Sequence, residues 1–220
     1  MDTLQAKGNT KKAYDQIAPT YLQWSQNSFS QRMSYLKLLT PLLAERKETH
    51  EATHILELGC GAGIPVTQSL ASLGTVQITA NDISSAQIDL AKKHLPPSVR
   101  LIQGDMMGLQ FEPEEFDAVV AMYSIIHLPR EEQTTMLERI FRWLKPGGLA
   151  LMNFSAGEIV ASSDPSWLGA TEGSVFWSGW GEHQTRRILR DTGFELLQDD
   201  VAVDPEDGGD FLWVLAKKAA

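Results

Sequence analysis

The sequence predicts an α/β fold, a doubly wound and mostly parallel sheet with helices on both faces. Three observations predict it. Short apolar runs alternate with helix-like segments through most of the chain, and that alternation implies parallel strands joined by helical crossovers. Residues 116–122 form a nearly continuous apolar run, as a strand buried on both faces requires. The tail pairs an apolar segment, 211–216, with a more polar one, 195–203, which suits an inner last strand beside an exposed edge.

The elements follow in order. Tyr14, Ile17, Ala18, Tyr21 and Leu22 recur at helical spacing, so the chain opens with an amphipathic helix. A second helix is expected over 28–45, with Phe29, Met33, Leu36, Leu39 and Leu43 inward and Pro41 as a kink or break. The polar stretch 46–53 is a connector. Strands are expected at 54–58, at 76–82 and at 99–103, with helices at 66–73 and from Ser84, as N-cap, to about His94. After the strand at 116–122, Pro129 suits the first turn of a helix that closes at Lys145-Pro146-Gly147-Gly148. A fifth strand covers 149–154. Residues 155–180 have no clean period. A helix at 182–191 ends on Gly193, and the two tail strands form a hairpin with the last strand inward.

The chain has 220 residues, enough for one domain with a real core. We expect a single domain over 1–220, with 1–50 as an N-terminal helical cap and 156–181 as a lid insertion. Cys60 is the single cysteine, which excludes an internal disulfide and any cysteine-built metal site; no metal is expected. The formal charge of −9 and the scattered lysines and arginines argue against nucleic acid as a partner. There is no signal-peptide core and no apolar stretch of bilayer-spanning length, so the expectation is a soluble, cytoplasmic protein without a membrane partner.

The segment Ile55-Leu56-Glu57-Leu58-Gly59-Cys60-Gly61-Ala62-Gly63-Ile64-Pro65 joins a strand to a glycine loop, where ligands of parallel sheets bind. A phosphate-binding P-loop would end in Gly-Lys-Ser or Gly-Lys-Thr, and no lysine follows until Lys92. A dinucleotide fingerprint wants glycine or alanine where Ile64 stands. Five segments in order decide the matter: ELGCGAG, NDIS at 81–84, QGDM at 103–106, FDAVVAMYSIIHL at 116–128 and LKPGG at 144–148. Together they resemble the class I S-adenosylmethionine-dependent methyltransferases, and the resemblance covers about 14–216. It implies strand order 3-2-1-4-5-7-6 with strand 7 antiparallel, and S-adenosylmethionine as cofactor.

The resemblance also implies a cofactor site. Glu57, Gly59, Cys60, Gly61 and Gly63 would face the methionine part, where glycines admit close backbone approach. Asp82, with Ile83, would hold the ribose hydroxyls; Gly104, Asp105 and Met106 would hold the adenine. Ala121 and Met122 would line the site. Tyr14 and Tyr21 match the tyrosines of a YDxxAxxY-like opening, here YDQIAPTY. The structural alternatives stay open: a tight turn for the glycines, N-caps for Asp82 and Asp105, core positions for the tyrosines and a filler role for Cys60.

For the acceptor, His127 is the candidate general base, because imidazole titrates near neutrality; the alternative is a histidine that caps a helix or fixes a loop. Tyr123 and Ser124 are candidate polar pocket groups. Trp24, Trp167, Phe176, Trp177 and Trp180 could wall a pocket for a flat or apolar molecule, or pack the lid onto the sheet. Gly157, Gly169, Gly173 and Gly179 would let that lid move, and His183 is expected to face the pocket. The motifs of DNA-methylating relatives are missing from this sequence. The expectation is a small-molecule methyltransferase, O-methylation first, with N- or S-methylation or a cofactor-binding protein that transfers nothing as alternatives.

Overall fold

In the computed structural model, which describes residues 3–46, 52–74 and 76–219, a seven-stranded sheet runs in the order β3-β2-β1-β4-β5-β9-β8. Its strands are β1 (Thr53–Leu58), β2 (Val76–Asp82), β3 (Arg100–Gln103), β4 (Phe116–Ala121), β5 (Leu144–Ser155), β8 (Phe194–Val203) and β9 (Asp210–Lys218). The first five pair in parallel, whereas β9 pairs antiparallel with both β5 and β8. Counting only this sheet, the order is 3-2-1-4-5-7-6, as the sequence implies.

Alternation along the strands divides the core into two layers. Ile55, Ile78, Ala118, Val120, Leu151 and Trp213 face α2 (Phe29–Arg46), α3 (Val66–Ala71) and α4 (Ser85–His94). Leu56, Leu58, Val119, Ala121, Met152 and Val214 face α5 (Arg130–Trp143) and α6 (Glu182–Thr192). Every residue of β4 is buried, which explains its unbroken apolar run. On β8 the exposed Leu197, Val201 and Val203 mark the sheet edge.

The caps follow local chemistry. Ser84 accepts a hydrogen bond from the Gln87 amide at the start of α4, and Gly193 ends α6 in the left-handed region at φ 109°. Pro129 is the N-cap of α5 rather than its first helical residue.

Several expectations need correction. Pro41 does not break α2, and Pro19 lies inside α1 (Thr3–Trp24). The helix α5 ends at Trp143, just before Lys145-Pro146-Gly147-Gly148, but that segment falls not in a turn but within β5, where the pairing with β4 shifts register between Phe116 and Ala118. The stretch after β5 is not irregular throughout. It forms β6 (Glu158–Asp164) and β7 (Val175–Trp180), an antiparallel pair. The expected connector at 46–53 lies largely outside the described residues.

This hairpin packs on α1, giving a third apolar cluster of Ala13, Tyr14, Ile17, Ala170 and Val175. No helix among the described residues is long and apolar enough to cross a membrane.

Candidate active site

The glycine loop is shaped by what surrounds it. Gly59 has φ +72°, and a side-chain carbon there would come within 2.3 Å of the Ser124 Cβ, so only glycine fits between β1 and the loop after β4. The Gly61 amide donates to Asp82 Oδ2 at 2.9 Å, and the Ser84 amide donates to Asp82 Oδ1 at 2.8 Å. Each carboxylate oxygen therefore keeps a free lone pair. Burial pushes the Asp82 carboxyl up to about 6, against the pull of those two amides.

Beyond the carboxyl ends of the strands lies an open cleft, about 860 Å³ of empty space with its mouth included. Tyr14, Tyr21, Gly59, Cys60, Gly61, Asp82, Ile83, Asp105, Met106, Met122, Tyr123, Ser124 and His127, all singled out from sequence, line it. Asp105 accepts from the Met107 amide and so also caps a short 3-10 turn. Burial pushes the Cys60 thiol well above its usual range, which fits a filler and not a nucleophile.

Four expected residues are not in the lining. Glu57 is buried under the loop, where desolvation lifts its carboxyl to about 7. Gly63 is needed for packing: a side-chain carbon there would meet Leu95 at 2.6 Å. Gly104 has its carbonyl tied to the Asn81 amide and its own amide to the Asp82 carbonyl. Ala121 is fully buried inside β4.

A second pocket of about 410 Å³ shares Tyr14, Tyr21, Arg32, Tyr123 and His127 with the cleft. Trp24, Trp167 and Trp177 wall it. Their rings form one cluster with the tyrosines: Trp24 lies 5.3 Å from Trp167, Trp167 lies 5.5 Å from Trp177, and Tyr14 lies 5.8 Å from Trp167. Phe176 is buried and contributes only its carbonyl, which bonds His127. Trp180 donates to the Arg130 carbonyl and stacks on the Arg130 guanidinium, outside both pockets. His183 has a side chain 92% exposed on α6, so it does not face the pocket.

His127 is held on both nitrogens. Nδ1 lies 2.7 Å from the Phe176 carbonyl oxygen and Nε2 lies 3.0 Å from the Tyr14 hydroxyl. A carbonyl only accepts, so Nδ1 carries the proton and Nε2 accepts from Tyr14. Burial lowers the imidazole to about 4, keeping it neutral. Tyr14 is likewise held protonated, well above the usual phenol range, by burial.

Several residues escaped the sequence reading. Lys7 on α1 pairs with Asp105 Oδ2 at 2.6 Å and with Glu132 Oε2 at 3.0 Å. Asp15 accepts from the Ser84 hydroxyl at 2.7 Å and the Ala86 amide at 3.2 Å, fixing α1 to the start of α4. Arg32 stacks over Tyr123 at 4.5 Å and donates to Tyr21 Oη at 3.4 Å. Asp204, in the β8–β9 loop, receives the Tyr123 hydroxyl at 2.6 Å. Only Asp15 carried a signal, as the second residue of the YDQIAPTY opening.

The cleft holds polar atoms in need of a ligand. The Gln87 side-chain amide and the Ser124 hydroxyl line it, are buried, and have no hydrogen-bond partner among the described residues. With bare glycine backbone, free lone pairs on Asp82 and apolar Ile83 and Met106, this donor set fits a ligand with ribose hydroxyls, an amino-acid end and an adenine.

The sheet order and the position of this cleft define a class I methyltransferase fold. Residues 55–148 match the family described as methyltransferase domain. The chain is 33% identical over 176 residues to a sterol 24-C-methyltransferase of Candida albicans, spanning 74% of this chain and 46% of that one. It is 31% identical over 165 residues to squalene methyltransferase 1 of Botryococcus braunii, spanning 69% and 42%. The chain thus spans about half the length of the curated relatives it matches. Among solved structures it superposes on the DhpI–SAH complex with a TM-score of 0.68 at 20% identity, covering 99% of each chain. Residues 55–148 carry a methyltransferase domain, and S-adenosylmethionine is the cofactor that goes with its site.

Proposed function

We propose that the chain transfers the methyl group of S-adenosylmethionine to a small apolar acceptor whose attacking atom is neutral and needs no prior deprotonation. One observation carries this reading: His127, the expected base, has both nitrogens engaged and sits neutral beside an aromatic pocket. An alcohol or phenol acceptor would need a free base nearby. An alkene carbon does not, and the names of the sterol and squalene relatives favour carbon. O-methylation is accordingly the less supported choice.

S-adenosylmethionine supplies an electrophilic methyl on a positive sulfur. A π pair of the acceptor would form the new C–C bond to that methyl, leaving the S–C pair on sulfur. The positive charge passes to the acceptor until a proton leaves the neighbouring carbon to water. The rings of Trp24, Trp167, Trp177 and Tyr21 suit that passage, since aromatic faces stabilise cations by about 0.5–2 kcal/mol. The protein's share is to orient the reactants and to lower the cost of that charge.

The test uses methyl-labelled S-adenosylmethionine with squalene, a side-chain-unsaturated sterol, and a phenol and an amine of similar size. Label on carbon of an unsaturated terpenoid is expected. Label on the phenol oxygen, with a rate that climbs with pH, would overturn carbon as the acceptor. Label that never leaves the cofactor would overturn transfer itself.

A further inference from the structure

We propose that Tyr14 touches the transferring methyl group through its phenolic oxygen, and that His127 is the positioning residue that turns this oxygen toward it. The inference rests on the cofactor reading above and adds a role for a pair of residues between the two pockets.

The hydrogen-bond directions are fixed from the outside in. The Phe176 carbonyl on β7 takes the Nδ1 proton at 2.7 Å, so Nε2 presents a lone pair. The hydroxyl 3.0 Å away must then donate. Tyr14 has committed its proton to His127, and its oxygen keeps lone pairs that no donor among the described residues occupies. A neutral imidazole thereby makes the phenol an oriented acceptor.

The place of that acceptor matters. Tyr14 lines both the cofactor cleft and the aromatic pocket, so it stands on the wall that any group passing between them must cross. Two other phenols share this wall and are engaged differently. Tyr21 Oη accepts a hydrogen bond from Arg32 at 3.4 Å, and the Tyr123 hydroxyl is directed at Asp204 and Gln31. A methyl on a positive sulfur has polarised C–H bonds, and an oxygen lone pair is their natural acceptor; such contacts contribute about 0.5–1 kcal/mol. The same contact would steer the methyl along the line from sulfur to acceptor, because it opposes rotation of the sulfonium away from the pocket.

The test separates S-adenosylmethionine from S-adenosylhomocysteine, which differ by that methyl and its charge. Titration calorimetry on the wild-type chain and on Tyr14→Phe should show affinity for S-adenosylmethionine falling roughly two- to fivefold, with S-adenosylhomocysteine unchanged. With ¹³C-methyl S-adenosylmethionine, the bound methyl proton resonance should lie downfield in the wild type and lose that displacement in Tyr14→Phe. His127→Leu, which leaves Tyr14 in place but frees its hydroxyl, should shift the resonance part of the way, and His127→Gln should restore it by offering an acceptor oxygen. Equal loss of both ligands in Tyr14→Phe, or an unmoved methyl resonance, overturns the inference while leaving the cofactor reading intact. If the wild type binds neither ligand, the cofactor reading falls and this inference with it. Should His127→Leu fail to fold, Tyr14→Phe decides the question alone, since it keeps the ring and its packing.

Discussion

At the residue scale, Asp82 shows how a structural role and a binding role coexist. Its carboxyl caps the loop through the Gly61 amide and the turn through the Ser84 amide, yet burial holds it at about 6. An aspartate raised from its ordinary value near 4 contributes stability that is fully present below pH ~4 and is lost as pH rises through about 6. Ionisation at neutral pH thus costs the ligand-free protein roughly 3 kcal/mol, on about 1.4 kcal/mol per unit. Ribose hydroxyls donating to its free lone pairs would offset that cost, because they favour the ionised form. Cofactor binding should then release a proton and tighten with pH. Titration of S-adenosylhomocysteine at pH 5 to 7.5 should show affinity weakening below about pH 6, by at most roughly tenfold per unit. Asp82→Asn should bind less tightly and lose this dependence between pH 5 and 7. A wild-type affinity flat across that range would mean that the carboxyl does not ionise on binding.

At the element scale, the active site depends on how the β6–β7 hairpin leans on α1. Thr10 and Gln16 on α1 hold the hairpin through the Phe176, Thr171 and Glu172 amides, and the Ser174 amide donates to the Asn9 carbonyl. Gly173 makes the close approach: it has φ +76°, and a side-chain carbon there would lie 2.2 Å from the Asn9 carbonyl oxygen and 3.0 Å from the Ala13 amide nitrogen. Both obstacles are backbone, so neither can swing aside. Gly173→Ala should cost about 3 kcal/mol, summing overpacking and left-handed strain. The loss should be local. Hydrogen exchange should quicken in α1 and β7 while β1 and β4 stay protected, and acceptor binding should suffer more than the fold. Unchanged exchange in α1 would show that the helix holds its place without the hairpin. The glycine suggested a mobile lid from sequence; in the structure it is the point where the β6–β7 hairpin touches α1.

At the scale of the whole molecule, what could be read in advance follows from the range of the signal. The strand order was legible through the five motifs, whose resemblance implies it, and the apolar last strand of the tail agreed with it. The hairpin after β5 was not, because β6 is exposed over most of its length and gives no apolar alternation. The loops at the strand ends were legible where the motif is local, as with Gly59, Gly61, Asp82 and Asp105. Lys7, Arg32, Gln87 and Asp204 reach the same cleft or its neighbouring pocket from α1, α2, α4 and the β8–β9 loop, and no spacing links them. Glu57 and Gly63 belong to the motif yet serve the loop's own packing, which a motif cannot distinguish from contact with a ligand.

That same convergence of distant elements sets a test for the molecule as a whole. The orphaned Gln87 side-chain amide and Ser124 hydroxyl and the costly Asp82 carboxylate sit at the meeting point of α1, α4, β1, β2 and the loop after β4. A ligand that satisfies them joins those elements, so its binding should stabilise the fold globally. S-adenosylhomocysteine at about 100 times its dissociation constant adds roughly 2.7 kcal/mol. For a chain of 220 residues that raises the unfolding midpoint by roughly 5–10 °C. The shift should appear with S-adenosylhomocysteine and S-adenosylmethionine and be absent with NAD or NADP, because Ile64 stands where a dinucleotide loop needs a small residue. A rise with the dinucleotides alone would contradict the assignment of the cleft. A rise with every adenosine compound alike would mean that the adenine end dominates and that the glycine loop adds nothing to recognition of the methionine end.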